Sequence, residues 1–330
     1  MELKATEMKA TFVPRRGMRG GHAQTLASHF LSRENHLPGP EERLIRVEAE
    51  SQVLCHCHWQ AERRERKTLV IVHGLEGSSE SQYVIGNGSK AWQAGYNVVR
   101  MNVRNCGETE HLSPTLYHSG LSGDVGAVVR TLIGEDRLRR VAVLGYSMGG
   151  NQVLKLAGEW GKDAPAEVFA VAAVSPGLDL AVGADALHET ANRIYELQFL
   201  ASLKARVRKK ARLFPNRYKL PAMWRIWTLR AFDDAVTAPA WGFRDADDYY
   251  DRASAAHVID RVSVPTLVVH ALDDPFVRIT EATRAKLTGN SNITYLEEEH
   301  GGHCGFLEDV TADYDGRWAE KQVLEFLEAR

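Results

Sequence analysis

The sequence predicts an α/β domain: a mostly parallel sheet with helices on both faces. Three observations point there. Short runs rich in Val, Ile and Leu alternate with stretches long enough for crossover helices. One run, Val141–Leu144, leads into Gly145-Tyr146-Ser147-Met148-Gly149, and a helix-like segment follows. Acid and histidine candidates lie downstream of that serine, each just past another expected strand.

Leu44–Val47 and Val53–Trp59 are expected to open the sheet as an antiparallel pair. Thr68–Val72, Asn97–Met101, Val141–Leu144, Val168–Val174, Thr266–His270 and Ile293–Leu296 read as parallel strands. Near-continuous apolar runs suit strands covered on both faces. Asp124–Ile133 and Gln152–Trp160 read as two of the covering helices. The rhythm breaks between Leu178 and His257, a span too long for one connection. It is expected to be an inserted helical cap, within which Leu220, Met223, Trp224 and Trp227 fall at helical spacing. The expected organisation is a single domain over residues 1–330. An N-terminal arm would occupy 1–39, the core about 40–177 and 258–330, and the cap about 178–257.

With 330 residues, 44% of them hydrophobic, the chain can build a large core. A formal net charge of −2 does not suggest a nucleic-acid partner. Four cysteines without a regular framework suit a reducing compartment. Met1–Arg16 lacks the apolar core of a signal peptide, and runs such as Val168–Val174 are too short to span a bilayer. A soluble cytoplasmic protein is expected. Cys55-His56-Cys57-His58 resembles a metal cluster, but alternate side chains of a strand face opposite ways, so no metal is expected there. Residues 201–230 carry ten Lys or Arg and no acid. The favoured reading is a solvated cap surface paired with the acidic stretch Asp245–Asp251. The sharper one, supported by nearby Trp224 and Trp227, is a face that meets anionic lipid.

Gly145–Gly149 has the form of a nucleophile elbow, a strand-to-helix turn that holds a serine out at the sheet edge. A hydroxyl needs a base to take its proton, and the base needs an orienting acid. The expected order is Ser, Asp or Glu, then His. The strand at 266–270 runs into Asp273-Asp274-Pro275, and the strand at 293–296 into His300-Gly301-Gly302-His303. Asp274 is assigned as the acid, with Asp273 the alternative. His303 is assigned as the base, with His300 shaping the loop. Two backbone N–H groups should stabilise an oxyanion: that of Met148 and, from His73-Gly74-Leu75-Glu76-Gly77, that of Leu75. His73 is expected to brace its loop.

These residues resemble the α/β-hydrolase superfamily, and within it the YheT-like hydrolases. That branch also holds eukaryotic ABHD-type membrane lipases and yeast medium-chain ester synthase/esterases. Further segments carrying the resemblance are Gly21-His22-Ala23-Gln24-Thr25-Leu26, Tyr117-His118-Ser119-Gly120, Phe232-Asp233-Asp234-Ala235-Val236-Thr237-Ala238-Pro239 and His303-Cys304-Gly305-Phe306. It covers about residues 10 to 325. Arg104-Asn105-Cys106-Gly107 departs from the Arg-Gly-Cys-Gly usual there, though Asn tolerates a positive φ. The resemblance implies an α/β-hydrolase fold and a carboxylic-ester hydrolase with the triad Ser147, Asp274 and His303. It acts on short- to medium-chain acyl esters or lipid esters and needs no cofactor. Transfer of the acyl group to an alcohol by the same serine is the nearest alternative. A membrane-surface binding module on the same scaffold is another.

Overall fold

The computed structural model describes residues 11–218 and 220–330. The first ten residues of the arm and Lys219 of the basic run lie outside them.

Eight strands form one sheet in the order β1-β2-β4-β3-β5-β6-β7-β8. They are β1 (Glu41–Glu48), β2 (Ser51–His58), β3 (Thr68–Val72), β4 (Asn97–Met101), β5 (Val141–Tyr146), β6 (Val168–Val174), β7 (Thr266–Ala271) and β8 (Ile293–Glu298). Antiparallel pairing joins β1 to β2 and β2 to β4, and every later pairing is parallel. Each expected strand is present. Several run a residue or more longer, because ladder hydrogen bonding continues into polar residues such as Glu297 and Glu298 on the edge strand β8.

Alternation along the central strands sorts side chains to two cores. Val70, Val72, Val143, Val171 and Val268 face α3 (Ser122–Gly134) and α4 (Met148–Trp160). Leu69, Ile71, Leu144, Ala172 and Val269 face α2 (Gln82–Gln93) and the last helix, Trp318–Glu328. Burying both faces this way stabilises the fold by roughly 25 cal/mol for each Å² of apolar surface removed from water. The arm contributes α1 (Gly21–Phe30), and Phe12 packs edge-on against Phe306.

Between β6 and β7 the chain leaves the sheet. It forms α5 (Leu180–His188), the long α6 (Arg193–Leu213), a broken segment of α7 (Leu229–Phe232), a π-turn at Asp233–Thr237 and α8 (Ala238–Trp241), and then α9 (Ala246–Ala253). The helical spacing at Leu220–Trp227 is realised only as a 3₁₀ turn over Met223–Arg225. Pro221 falls inside that stretch and removes a backbone donor, and Pro215 stands just past the end of α6. Met223 is buried there, while Trp224 is 68% and Trp227 63% exposed.

The basic run pairs mainly with the sheet side of the molecule rather than with Asp245–Asp251. Arg206 bonds Glu76, Lys209 bonds Glu110 and Arg217 bonds Glu50. Lys210 is buried and donates to the carbonyls of Glu110 and Ser113. Of the basic residues described, Arg230 reaches the acidic stretch, at Asp247. The cause is geometric: α6 lies across the loops that follow β3 and β4, so its basic face meets their carboxylates.

Asn105 adopts φ +68°, which asparagine tolerates better than most residues. Beside it Arg104 is fully buried, with a fork of two N–H groups on Asp124 and a third bond to Glu48. Removing one partner of such a pair strands a buried charge. Asp124→Ala should therefore lower unfolding stability by about 3–5 kcal/mol in urea titration, and Arg104→Met/Asp124→Leu should recover much of the loss.

Candidate active site

β5 ends at Tyr146 and α4 begins at Met148, so Ser147 turns the chain within one residue. It does so at φ +54° and ψ −116°. A non-glycine residue there costs about 1–3 kcal/mol and must be held by its surroundings. The Ser147 N–H donates to the Val174 carbonyl at 3.0 Å, and its carbonyl accepts from Asn151 at 3.1 Å and Gly177 at 3.3 Å. A Cβ on Gly145 would strike the Gly149 carbonyl, and one on Gly149 would lie 2.5 Å from the carbonyls of Val72 and His73. Only hydrogen at both positions lets the strand, the helix and the neighbouring loop approach so closely.

His303 reaches the serine from the loop after β8. Its Nε2 lies 2.9 Å from Ser147 Oγ, and its Nδ1 lies 2.8 Å from Asp274 Oδ2. A carboxylate only accepts, so Nδ1 carries the hydrogen and Nε2 is left to accept from the serine hydroxyl. The other Asp274 oxygen accepts from Phe276 N–H at 3.1 Å and Val277 N–H at 2.9 Å. Asp273 serves elsewhere: it accepts from Gly302 N–H at 2.8 Å and lies 3.2 Å from His300 Nδ1. The two adjacent acids thus divide the work, one on the His303 ring and one on its loop. Burial disfavours a charged imidazole at His303, but the Asp274 carboxylate outweighs it and raises the pKa above the ordinary value.

The loop after β3 packs against the serine, since a Cβ on Gly74 would come within 3.1 Å of Ser147 Cβ. His73 is buried, donates from Nδ1 to the Gly74 carbonyl at 2.7 Å and accepts Val103 N–H on Nε2 at 3.0 Å. Burial lowers its pKa to about 4, so it stays neutral and braces the loop. Gly74 N–H donates to Tyr83 and Glu76 N–H to Tyr117. Among the described residues the N–H groups of Leu75 and Met148 have no acceptor, and both residues line the same pocket as Ser147. Arg206 and Tyr117 fix the Glu76 carboxylate, the Arg206 Nε bond being 2.8 Å long.

The pocket above Ser147 is walled by Leu116, Leu187, Phe199, Leu203, Val207, Leu229, Phe232 and Phe276. Asp233 is a buried polar exception. It accepts from Thr237 at 2.6 Å and Tyr250 at 2.7 Å, and burial pushes its pKa up to about 6. This is how the motif around Phe232–Pro239 is used: its π-turn is tied to α9. His118 packs edge-on against Trp241 and is held neutral by burial, with its pKa lowered to about 3. No cluster of three metal-ligating side chains occurs among the described residues. None of their helices is long and apolar enough to cross a membrane.

Sequence reasoning left the His22 and Gln24 motif without a role; Gln24 and the neighbouring Thr25 now have one. Both sit beneath the His303 loop, with Thr25 Oγ 2.8 Å from His303 N. Their motif was visible, but a contact spanning 278 residues leaves no local signal.

The alpha/beta hydrolase fold model matches residues 67–310. YheT of Escherichia coli (strain K12), which carries the name of an esterase, is 31% identical over 96% of this chain and 93% of its own. The chain belongs to the α/β-hydrolase family, in its YheT branch. It is an esterase- or lipase-like hydrolase. It is also similar to Phospholipase ABHD3 of Mus musculus, at 28% identity over 74% of this chain but 59% of that protein's length. Monoacylglycerol lipase ABHD2 of Homo sapiens is 27% identical over 79% of this chain and 65% of its own. The esterase Pf2001 of Pyrococcus furiosus shares the fold, with a TM-score of 0.56 at 15% identity, covering 88% of this chain and 92% of that one.

NMR titration of this hydrolase should place the His303 midpoint above the ordinary 6.5. Asp274→Asn should move it down, because the main charge that opposes burial is then gone. Asp273→Asn should leave it near the wild-type value.

Proposed function

We propose that the chain is a serine carboxylic-ester hydrolase acting on acyl or lipid esters through Ser147, His303 and Asp274. The observation that carries this reading is the unbroken hydrogen-bond chain from Asp274 through His303 to Ser147, beside two unclaimed backbone N–H groups.

Ser147 Oγ attacks the ester carbonyl carbon as His303 Nε2 takes its proton. The carbonyl oxygen becomes an oxyanion held by the N–H groups of Leu75 and Met148, each donor worth about 3–4 kcal/mol in such sites. Asp274 stabilises the imidazolium and keeps Nδ1 protonated. The tetrahedral centre collapses, the C–O bond to the alcohol breaks, and His303 returns its proton to the leaving oxygen. Water then attacks the acyl-enzyme with His303 again as base, releasing the carboxylic acid and the free serine. The apolar wall above Ser147 suits an acyl chain, and the ABHD relatives named for phospholipid and monoacylglycerol cleavage favour a lipid ester.

Hydrolysis of p-nitrophenyl esters from acetyl to palmitoyl tests the reading. Ser147→Ala should reduce kcat by roughly 10⁶-fold and Asp274→Asn by about 10⁴-fold. Asp273→Asn should retain most activity. Full turnover by Ser147→Ala would refute the assignment.

A membrane-facing cap has narrower support than its charge implies, since several of its basic residues are engaged inward. Arg208, Arg212 and Arg225 make no ion pair among the described residues; Arg225 lies over the exposed Trp224 ring and Lys204 over the exposed Trp227 ring. This surface suits an anionic bilayer interface. Sedimentation with phosphatidylglycerol vesicles should fall several-fold in Trp224→Ala/Trp227→Ala. Equal binding to phosphatidylcholine vesicles would remove the charge argument.

A further inference from the structure

The Gly21–Leu26 stretch of the arm has no part in the reaction as derived, yet its contacts converge on the loop that carries His303. Thr25 Oγ accepts the backbone N–H of His303 at 2.8 Å while donating to the Gly21 carbonyl at 2.7 Å. Gln24 is fully buried. Its Oε1 accepts Leu307 N–H at 2.7 Å, and its Nε2 donates to the carbonyls of Leu307 at 3.1 Å and Met18 at 2.7 Å. The two side chains therefore bracket residues 303–307 from outside the sheet. A Cβ on Gly302 would meet Thr25 Oγ at 2.8 Å and Gln24 Cβ at 2.9 Å, so the arm touches the loop without a gap.

The bracketed segment needs such support. Cys304 and Phe306 both have positive φ, at +57° and +43°. Non-glycine residues in that region persist where neighbouring groups over-determine them. The ring of His303 must also meet two partners at once, at 2.8 and 2.9 Å. A backbone shift of a fraction of an ångström would lengthen one of those bonds, and misplacement on that scale is costly to rate.

We infer that Gln24 and Thr25 are positioning residues that hold the His303 imidazole in register with Ser147 and Asp274. This rests on the triad reading above. Thr25 acts at the residue that carries the ring, and Gln24 acts at the far end of the strained turn.

The test compares Thr25→Val, Thr25→Ser, Gln24→Leu, Arg33→Gln and Ser147→Ala in the full chain. It measures kcat, KM, the pH profile of kcat/KM with p-nitrophenyl butyrate, and Tm. Thr25→Val keeps the shape and removes the acceptor. It should lower kcat about 10- to 100-fold with KM within about twofold. It should also shift the acid-limb midpoint to lower pH, since a looser Asp274 contact holds the imidazolium less well. Thr25→Ser should restore most of kcat and the midpoint. Gln24→Leu should follow Thr25→Val, and if it fails to fold, the Thr25 pair carries the test. Arg33→Gln weakens the arm at Glu320 of the last helix, leaves every Gln24 and Thr25 bond in place, and should lower Tm without moving the midpoint. A Thr25→Val enzyme with wild-type kcat and midpoint overturns the inference, as does a loss that follows Tm alone or is not rescued by serine. Activity retained by Ser147→Ala would instead defeat the triad reading and take this inference with it.

Discussion

The single-residue reversal at Ser147 is the constraint on which the rest of the structure depends. A buried central strand must become a helix there, at a backbone angle that a serine adopts only when held. The hold comes from β6 through the Val174 carbonyl and from the Gly177 N–H. The close crossing that follows demands glycine at 145 and 149, and it brings the Gly74 loop against Ser147. It also leaves Met148 as the first residue of α4, so an N–H with no intrahelical partner points where negative charge would develop. Because β3, β5, β7 and β8 run parallel, the loops at their C-terminal ends share one edge of the sheet. The parts that act together arrive from four strands for that reason alone.

Buried charge at that edge is handled differently from group to group. Asp274 has two backbone donors and an imidazole. Among the described residues Asp233 accepts from two hydroxyls, and burial pushes its pKa up. Arg104 is matched by Asp124 in fork geometry, which sets the turn after β4 that also supplies Val103 N–H to His73. The same low-dielectric surroundings that make these pairs strong make a missing partner expensive.

The strands and the elbow were legible because they depend on local signals: apolar runs, a glycine on each side of the serine, and a histidine past a glycine pair. Choosing Asp274 over Asp273 was a matter of turn geometry, and adjacent aspartates offer the same side chain to it. The structure separates them by direction, one toward the His303 ring and one toward Gly302 N–H. The basic run was misread in its partners because sequence shows charge but not facing. Glu76 and Glu110 are about a hundred or more positions away from the arginine that binds them. Helical spacing at Leu220–Trp227 failed for a local reason, since the proline at 221 outweighs periodicity.

The sheet alone does not complete the site. Glu76, next to the Leu75 donor, is clasped by Arg206 of α6, so the cap helix fixes the loop that would meet the oxyanion. On the opposite side the His303 loop rests on Gln24 and Thr25 of the arm. The arm and cap also meet each other, through His22 Nδ1 and the Tyr195 hydroxyl at 3.1 Å, and Tyr195 packs on Phe276, whose ring abuts His303. Two strained loops on the rim of a rigid sheet are thereby tied to two segments outside it, and those segments are tied together. A core stripped of either would keep its strands, but the loops that present the donors and the imidazole would lose the bonds that restrict them.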